Sequence, residues 1–176
     1  MSNSPNNPTG QVMKLIFIRH GQATAYCADD AGRNLTEFGQ AQALETATHL
    51  LKHHQLDMII TSPFNRANQT AKILEKLADT QGQHPTFITL DSITPDDDPT
   101  QGLSDIEQII AKHYGLEHNK TIAIVCHMPI VARMVSLMHD FPATTFELAE
   151  CRVLESQVFA KGLANQTDNF IPKQPQ

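Results

Sequence analysis

The runs Leu15-Ile16-Phe17-Ile18, Met58-Ile59-Ile60 and Ile122-Ala123-Ile124-Val125 constrain this chain more than any other feature. Each is short and apolar at every position rather than at alternate ones. That pattern reads as a strand buried on both faces, the kind found where helices cover both sides of a largely parallel sheet. Between the runs the apolar spacing turns helical. Ala41, Leu44, Ala47 and Leu51 stand at i, i+3, i+6 and i+10, while Ala67, Thr70, Ala71, Leu74, Leu77 and Ala78 follow the i, i+3, i+4, i+7 rule. Ser104 and Glu107 have capping-box spacing and are expected to open a helix carrying Ile106, Ile109, Ile110 and Tyr114. Pro129 is expected at the first position of a helix with Ile130, Val131, Met134, Leu137 and Met138. The order is therefore four strand–helix pairs, closed by late strands at 146–148 and 153–159.

Length and charge bound the rest. A chain of 176 residues, 40% hydrophobic, can bury one sizeable core and is too short for two ordinary domains, so one α/β domain is expected at 13–165. The ends, 1–12 and 166–176, are polar and rich in Asn, Gln and Pro, with almost nothing to bury, and read as tails. A net charge of −6 and a pI near 5.8 argue against a general nucleic-acid or anionic-membrane surface. No stretch approaches the ~20 apolar residues that cross a bilayer, and residues 2–10 lack the apolar centre of a signal peptide. The expectation is a cytoplasmic protein, monomeric, with no membrane or nucleic-acid partner. Cys27, Cys126 and Cys151 are odd in number and lack Cys-x-x-Cys spacing, so neither a disulfide framework nor a zinc site is indicated.

The chemistry sits at the ends of the runs. Arg19-His20-Gly21 follows the first run, Ser62-Pro63-Phe64-Asn65-Arg66 the second and His127 the third, all on the rim where open α/β sheets hold ligands. Two guanidiniums can grip a phosphoryl group from two sides while one imidazole attacks phosphorus. His20 is the candidate nucleophile. Arg19 and Arg66 are candidate phosphate donors, and His127 another if protonated. Arg33 is a further substrate-binding candidate, set against its reading as a solvated loop arginine. The Gln22 amide could reach phosphate, but that reading is not preferred. Gly21 is expected to allow close approach to phosphate or a positive φ, and Ser62-Pro63 to shape a turn, Ser62 having no evident base partner.

Taken together, Arg19-His20-Gly21, Leu35-Thr36 with Gly39, Ser62-Pro63-Phe64-x-Arg66-Ala67-x-Gln69-Thr70 and His127-Met128-Pro129 resemble the histidine phosphatase (phosphoglycerate mutase-like) superfamily. The resemblance spans roughly residues 13 to 160, and its short form is similar to SixA-type phosphohistidine phosphatases. It implies a three-layer α/β sandwich with a mostly parallel central sheet and helices on both faces. It assigns the four catalytic roles to His20, Arg19, Arg66 and His127, with no cofactor. The implied substrate is phosphohistidine on a protein, a histidine phosphotransfer domain or a phosphocarrier. Two other readings stay open: a small-molecule phosphomonoesterase of the same fold, and a non-catalytic phosphoprotein-binding module, which would have no need of a nucleophilic histidine.

Three other motifs carry competing readings. A cysteine phosphatase needs Cys-x5-Arg, yet six residues after Cys126 stands Ala132, with Arg133 one place late. His49 and His53 have helical metal-ligand spacing but no acidic or thiol partner near in sequence. Asp96-Asp97-Asp98 could take magnesium, or lend a general acid, but Pro95 and Pro99 mark it as a polar loop, and no metal is needed where arginines hold phosphate. Only 60 residues separate Arg66 from His127, leaving no room for the helical insertion that covers the site in larger relatives. An open, shallow site is expected.

Overall fold

The structure is a computed structural model and describes residues 10–116 and 118–176. In chain order the elements are β1 (Met13–Arg19), α1 (Glu37–His53), β2 (Met58–Thr61), α2 (Asn65–Thr80), β3 (Thr86–Thr89), a short 3-10 turn (Asp91–Ile93), α3 (Pro99–Tyr114), β4 (Thr121–Cys126), α4 (Ile130–His139), β5 (Cys151–Ser156) and β6 (Asn165–Phe170). The six strands form one sheet in the order β3-β2-β4-β1-β5-β6. The first four pair in parallel, and β5 and β6 complete the sheet in antiparallel fashion. It is the α/β architecture that the apolar runs imply, a mixed and mostly parallel sheet with helices on both faces.

Strand alternation divides the core in two. Met13, Leu15 and Phe17 of β1 join Ile122, Ile124 and Cys126 of β4 on the face packed by α3 and α4. Ile16, Ile18, Ala123 and Val125 point the other way, onto Ala47 and Leu50 of α1 and Ala67, Ala71 and Leu74 of α2. Neighbouring parallel strands β1 and β4 therefore send the chain to opposite faces, into α1 and α4. A crevice opens at such a switch point, beyond the carboxyl ends of the strands.

Several boundaries differ from the sequence reading. The stripe on α1 is not Ala41 and Leu44, which are exposed, but Ala43, Ala47 and Leu50 with the polar Gln42 and Thr46. These polar residues are buried because they are bonded: Thr46 Oγ1 donates to the Ala149 carbonyl at 2.7 Å and Gln42 Nε2 to the Lys173 carbonyl at 2.9 Å. α3 begins at Pro99, capped by Asp98 through the Thr100 amide, rather than at Ser104, which lies inside the helix. Residues 146–148 are not a strand, and β5 ends at Ser156.

The segment expected as a tail, 166–176, is folded. β6 pairs with β5, and beyond it the Lys173 amide donates to Glu45 and Gln174 Nε2 to the Leu148 carbonyl. Backbone pairing at a sheet edge asks for no apolar alternation, which is why the polar sequence Asn165-Gln166-Thr167-Asp168-Asn169-Phe170 concealed it. Of the expected amino-terminal tail, residues 1–9 lie outside the described residues, and 10–12 carry no regular structure.

Candidate active site

His20 is held by its backbone before its side chain is considered. Its N–H donates to the Cys126 carbonyl at 3.1 Å and its carbonyl accepts from the Ala149 amide at 3.1 Å, fixing it between the end of β4 and the loop that leads into β5. On the ring, Nδ1–H donates to the Gly21 carbonyl at 2.7 Å. That bond sets the tautomer and leaves the lone pair on Nε2, which accepts the Arg66 Nε–H at 3.2 Å. Burial, with the Arg66, Arg19 and Arg33 charges adding to it, lowers the His20 pKa to about 3. The nitrogen facing the arginines is thus unprotonated at neutral pH, as a nucleophile must be.

Arg66 is nearly fully buried in the first turn of α2. Its Nη1 donates to the Asp30 carbonyl at 2.6 Å and its Nη2 to Asp30 Oδ2 at 3.0 Å. The other Asp30 oxygen accepts from Arg33 Nη1 at 2.8 Å. Asp30 therefore joins Arg33 to the rim, although Arg33 itself does not touch His20; its Nε is spent on the Thr24 carbonyl. Hydrogen bonds from Arg33 and Arg66 hold the Asp30 carboxyl below the ordinary range, the Arg33 bond being the larger influence. Arg19, at the end of β1, donates from Nη1 to the Phe146 carbonyl at 2.6 Å. Burial pulls its guanidinium below the usual value, partly offset by Glu147 and Glu150.

His127 lies with its ring centroid 5.1 Å from that of His20 and is almost wholly inaccessible. Its Nε2 is 2.7 Å from Ser62 Oγ. Burial lowers its pKa to about 2, and His20, Arg66 and Arg19 add to the effect. Two buried nitrogens of this cluster, Arg19 Nε and His127 Nδ1, have no hydrogen-bond partner among the described residues. Buried polar nitrogens are seldom left so, and an orphaned guanidinium N–H beside a second arginine has the chemistry of an oxyanion receptor.

The remaining motif residues build the frame. Thr70 Oγ1 accepts from the Gly21 amide at 3.2 Å and donates to the Arg66 carbonyl, and Gln69 Oε1 accepts from the Leu35 amide at 2.7 Å. Gly21 is not needed for a positive φ. A Cβ there would sit 2.4 Å from the Gly39 carbonyl oxygen, so its role is to let two backbones touch. The Gln22 amide oxygen is occupied by Thr36 Oγ1 at 2.7 Å.

The other motifs lie outside the cluster. Cys126 is buried, and desolvation pushes its thiol up to about 12. His49 stacks on Phe170, and among the described residues no group of three or more His, Cys, Asp or Glu is placed to hold a metal. Asp97 Oδ2 accepts from both the amide and hydroxyl of Thr94, and Asp98 caps α3. Two participants escaped the sequence reading. Asp30 stands three residues before Arg33, a spacing that could have suggested that pair but not the link to Arg66. Ser62 does have an imidazole beside it, brought from 65 residues away. No helix among the described residues is long and apolar enough to cross a membrane.

Comparison with known proteins follows the same lines. Residues 15–87 match the histidine phosphatase superfamily (branch 1). A phosphohistidine phosphatase SixA homolog from Haemophilus influenzae is 28% identical over 149 residues, covering 77% of this chain and 87% of that protein. The fold is similar to that of the protein histidine phosphatase SixA complexed with tungstate, with a TM-score of 0.76 at 20% identity, covering 91% of this chain and 97% of that one. It is also similar to a mycobacterial glucosyl-3-phosphoglycerate phosphatase, with a TM-score of 0.72 at 15% identity, covering 93% of this chain and 100% of that one.

Proposed function

We propose that this chain, whose residues 15–87 match the histidine phosphatase superfamily and which is similar to SixA proteins in sequence and in structure, hydrolyses phosphohistidine displayed on a protein, a histidine phosphotransfer domain or a phosphocarrier. The observation that carries the reading is the His20 ring. Its tautomer is fixed by Gly21, and its unprotonated Nε2 accepts from the guanidinium of Arg66.

In the reaction, the incoming phosphoryl group draws the Arg66 Nε–H away from His20 onto a phosphoryl oxygen. His20 Nε2 attacks phosphorus as the P–N bond to the substrate imidazole breaks, and that imidazole leaves with the electron pair and takes a proton from solvent water. Water then attacks phospho-His20, releasing inorganic phosphate and restoring the neutral ring. Arg19, Arg66 and His127 Nδ1–H donate to the equatorial oxygens, where a loose transition state gathers charge. Arg33, held by Asp30, adds positive charge at the rim.

The substrate class rests on the leaving group. The stretch between Arg66 and His127 is taken up by the rest of α2, β3, the 3-10 turn, α3 and β4, so among the described residues no further helical insertion lies between them. The four central residues include no carboxylic acid, and the Asp97 and Asp98 carboxylates are engaged in turn and helix caps. An alkoxide needs a strong acid to leave; an imidazole of a phosphoramidate needs little help. The second reading, a small-molecule phosphomonoesterase, is favoured by the fold shared with the mycobacterial glucosyl-3-phosphoglycerate phosphatase.

Phosphate release from a phosphohistidine carrier, p-nitrophenyl phosphate and a sugar phosphate separates the two. Phosphohistidine should be far the best substrate, and His20→Ala should abolish both turnover and the acid-labile, base-stable label. Replacing Asp96, Asp97 and Asp98 together by Asn keeps the caps, and should leave phosphohistidine hydrolysis within about tenfold, where a lost general acid costs ~10²–10⁴. Efficient alkyl phosphate hydrolysis that collapses in the triple variant would move the assignment to the phosphomonoesterase.

A further inference from the structure

Ser62 is fully buried one residue beyond β2, and its amide donates to the Val125 carbonyl at 3.0 Å, which locks the end of β2 to the end of β4 beside His127. Among the described residues its hydroxyl has two hydrogen-bond neighbours. Oγ lies 2.7 Å from His127 Nε2 and accepts the Phe64 amide at 3.4 Å. His127 is equally enclosed, with the Phe64 ring edge-on to it at 5.2 Å between centroids, and its other nitrogen, Nδ1, is buried without a partner among the described residues. The imidazole therefore has one nitrogen committed to a hydroxyl and one free for the site it shares with His20.

We propose that Ser62 is a positioning residue whose hydroxyl donates to His127 Nε2 and so keeps the proton of His127 on Nδ1, the atom presented to the phosphoryl oxygens. The argument turns on which tautomer is useful. A neutral imidazole has one N–H. Were it on Nε2, the Nδ1 lone pair would face the oxyanion and repel it, and a buried donor would become a buried acceptor. With the Phe64 amide already donating to Oγ, the Ser62 proton is free to point at Nε2, and the ring is left in the donating form. Burial and the neighbouring arginines hold His127 neutral, so the tautomer rather than a charge decides what it offers. The hydroxyl also suits a change of state. If His127 gains a proton as negative charge enters the site, Nε2–H becomes the donor and Oγ turns to accept.

This inference rests on phosphoryl transfer at His20, but its first test does not. In protein labelled with 15N on histidine, the His127 resonances of the free enzyme should report Nδ1–H and an unprotonated Nε2. In Ser62→Ala, which removes an atom and crowds nothing, the tautomer should become mixed or reversed. kcat should fall by about 10- to 100-fold, the size of effect seen when the outer hydrogen-bond partner of a metal-bound histidine is removed, with KM changed by less than about threefold. Ser62→Thr, which keeps the hydroxyl, should hold the Nδ1–H form. A wild-type His127 protonated on Nε2 overturns the proposal. So does a Ser62→Ala variant that loses kcat while its His127 tautomer is unchanged, because that outcome assigns Ser62 to packing alone. If the tautomer responds as stated but the wild type never labels His20, the functional reading fails and the positioning role stands.

Discussion

The two buried imidazoles should make this protein unusually sensitive to mild acid, and the size of the effect can be worked out. His20 has its pKa lowered to about 3 and His127 to about 2, in each case chiefly by burial, whereas either ring in an unfolded chain titrates near 6.5. Below that value the unfolded state binds protons that the native state refuses, so stability falls with falling pH until the folded pKa is reached. The slope is about 1.4 kcal/mol per pH unit for each ring. From pH 7.5 to 5.0 each ring therefore costs about 2 kcal/mol, and the pair about 4, against a total stability of roughly 5–15 kcal/mol for an ordinary domain.

Asp30 does not confuse this window. Its carboxyl is depressed, so its contribution is kept through pH 5 and lost only as the pH falls through its folded value. His54 and His118, also lowered chiefly by burial, titrate in any variant and cancel in a difference. Urea unfolding at the two pH values should be compared for the wild type and a His20→Asn/His127→Gln double variant, which keeps polar atoms near Nδ1 of the first ring and Nε2 of the second. The double variant should lose about 4 kcal/mol less than the wild type over the interval. Equal losses would show that both rings protonate in the native state, and the neutral nucleophile would go with them.

Arg152→Ala should destabilise the fold by about 3–5 kcal/mol, because the Arg152 Nε to Glu150 bond at 2.6 Å is buried and its loss strands a carboxylate. Arg152 also holds the Thr144 hydroxyl and Thr145 carbonyl and lies over the Phe146 ring, whose carbonyl receives Arg19. KM should therefore rise in protein that remains folded, and an unchanged KM would mean that Arg19 finds its own place. Cys126→Ala should keep most of the activity and chelators should not alter it; loss of activity with the fold intact would revive a thiol nucleophile.

What the sequence discloses here is the part written in local terms. A run such as Ile122-Ala123-Ile124-Val125 states its own burial, and the residue after a strand is on the rim whatever follows, so His20, His127 and the two arginines are brought together as their positions imply. The stripe of α2 is equally plain, since Ala67, Ala71 and Leu74 lie together in one apolar core layer. The stripe of α1 misleads because Gln42 and Thr46 are buried by partners at Lys173 and Ala149, more than 100 residues away. Asp30 and Ser62 are hidden for the same reason: each owes its place at the site to a hydrogen bond across the fold. Ser104 and Glu107 show the converse, a correct local signal overruled when Asp98 and Pro99 start the helix a turn and a half earlier.

Strand β6 has a bearing on how the protein behaves at high concentration. β5 is almost wholly buried, with Cys151, Val153 and Leu154 in the two core layers, and bare along one side it would offer a row of amides and carbonyls to any extended chain. β6 occupies that side with a strand that is itself exposed and carries no aliphatic residue. Its outer edge is open to water, but a partner strand would gain backbone bonds there without burying apolar surface, and Asp168 sets a charge in the way. Variants that unseat β6, by cutting the Gln174 and Lys173 contacts for instance, should therefore show themselves as self-association before they show any change at the histidines.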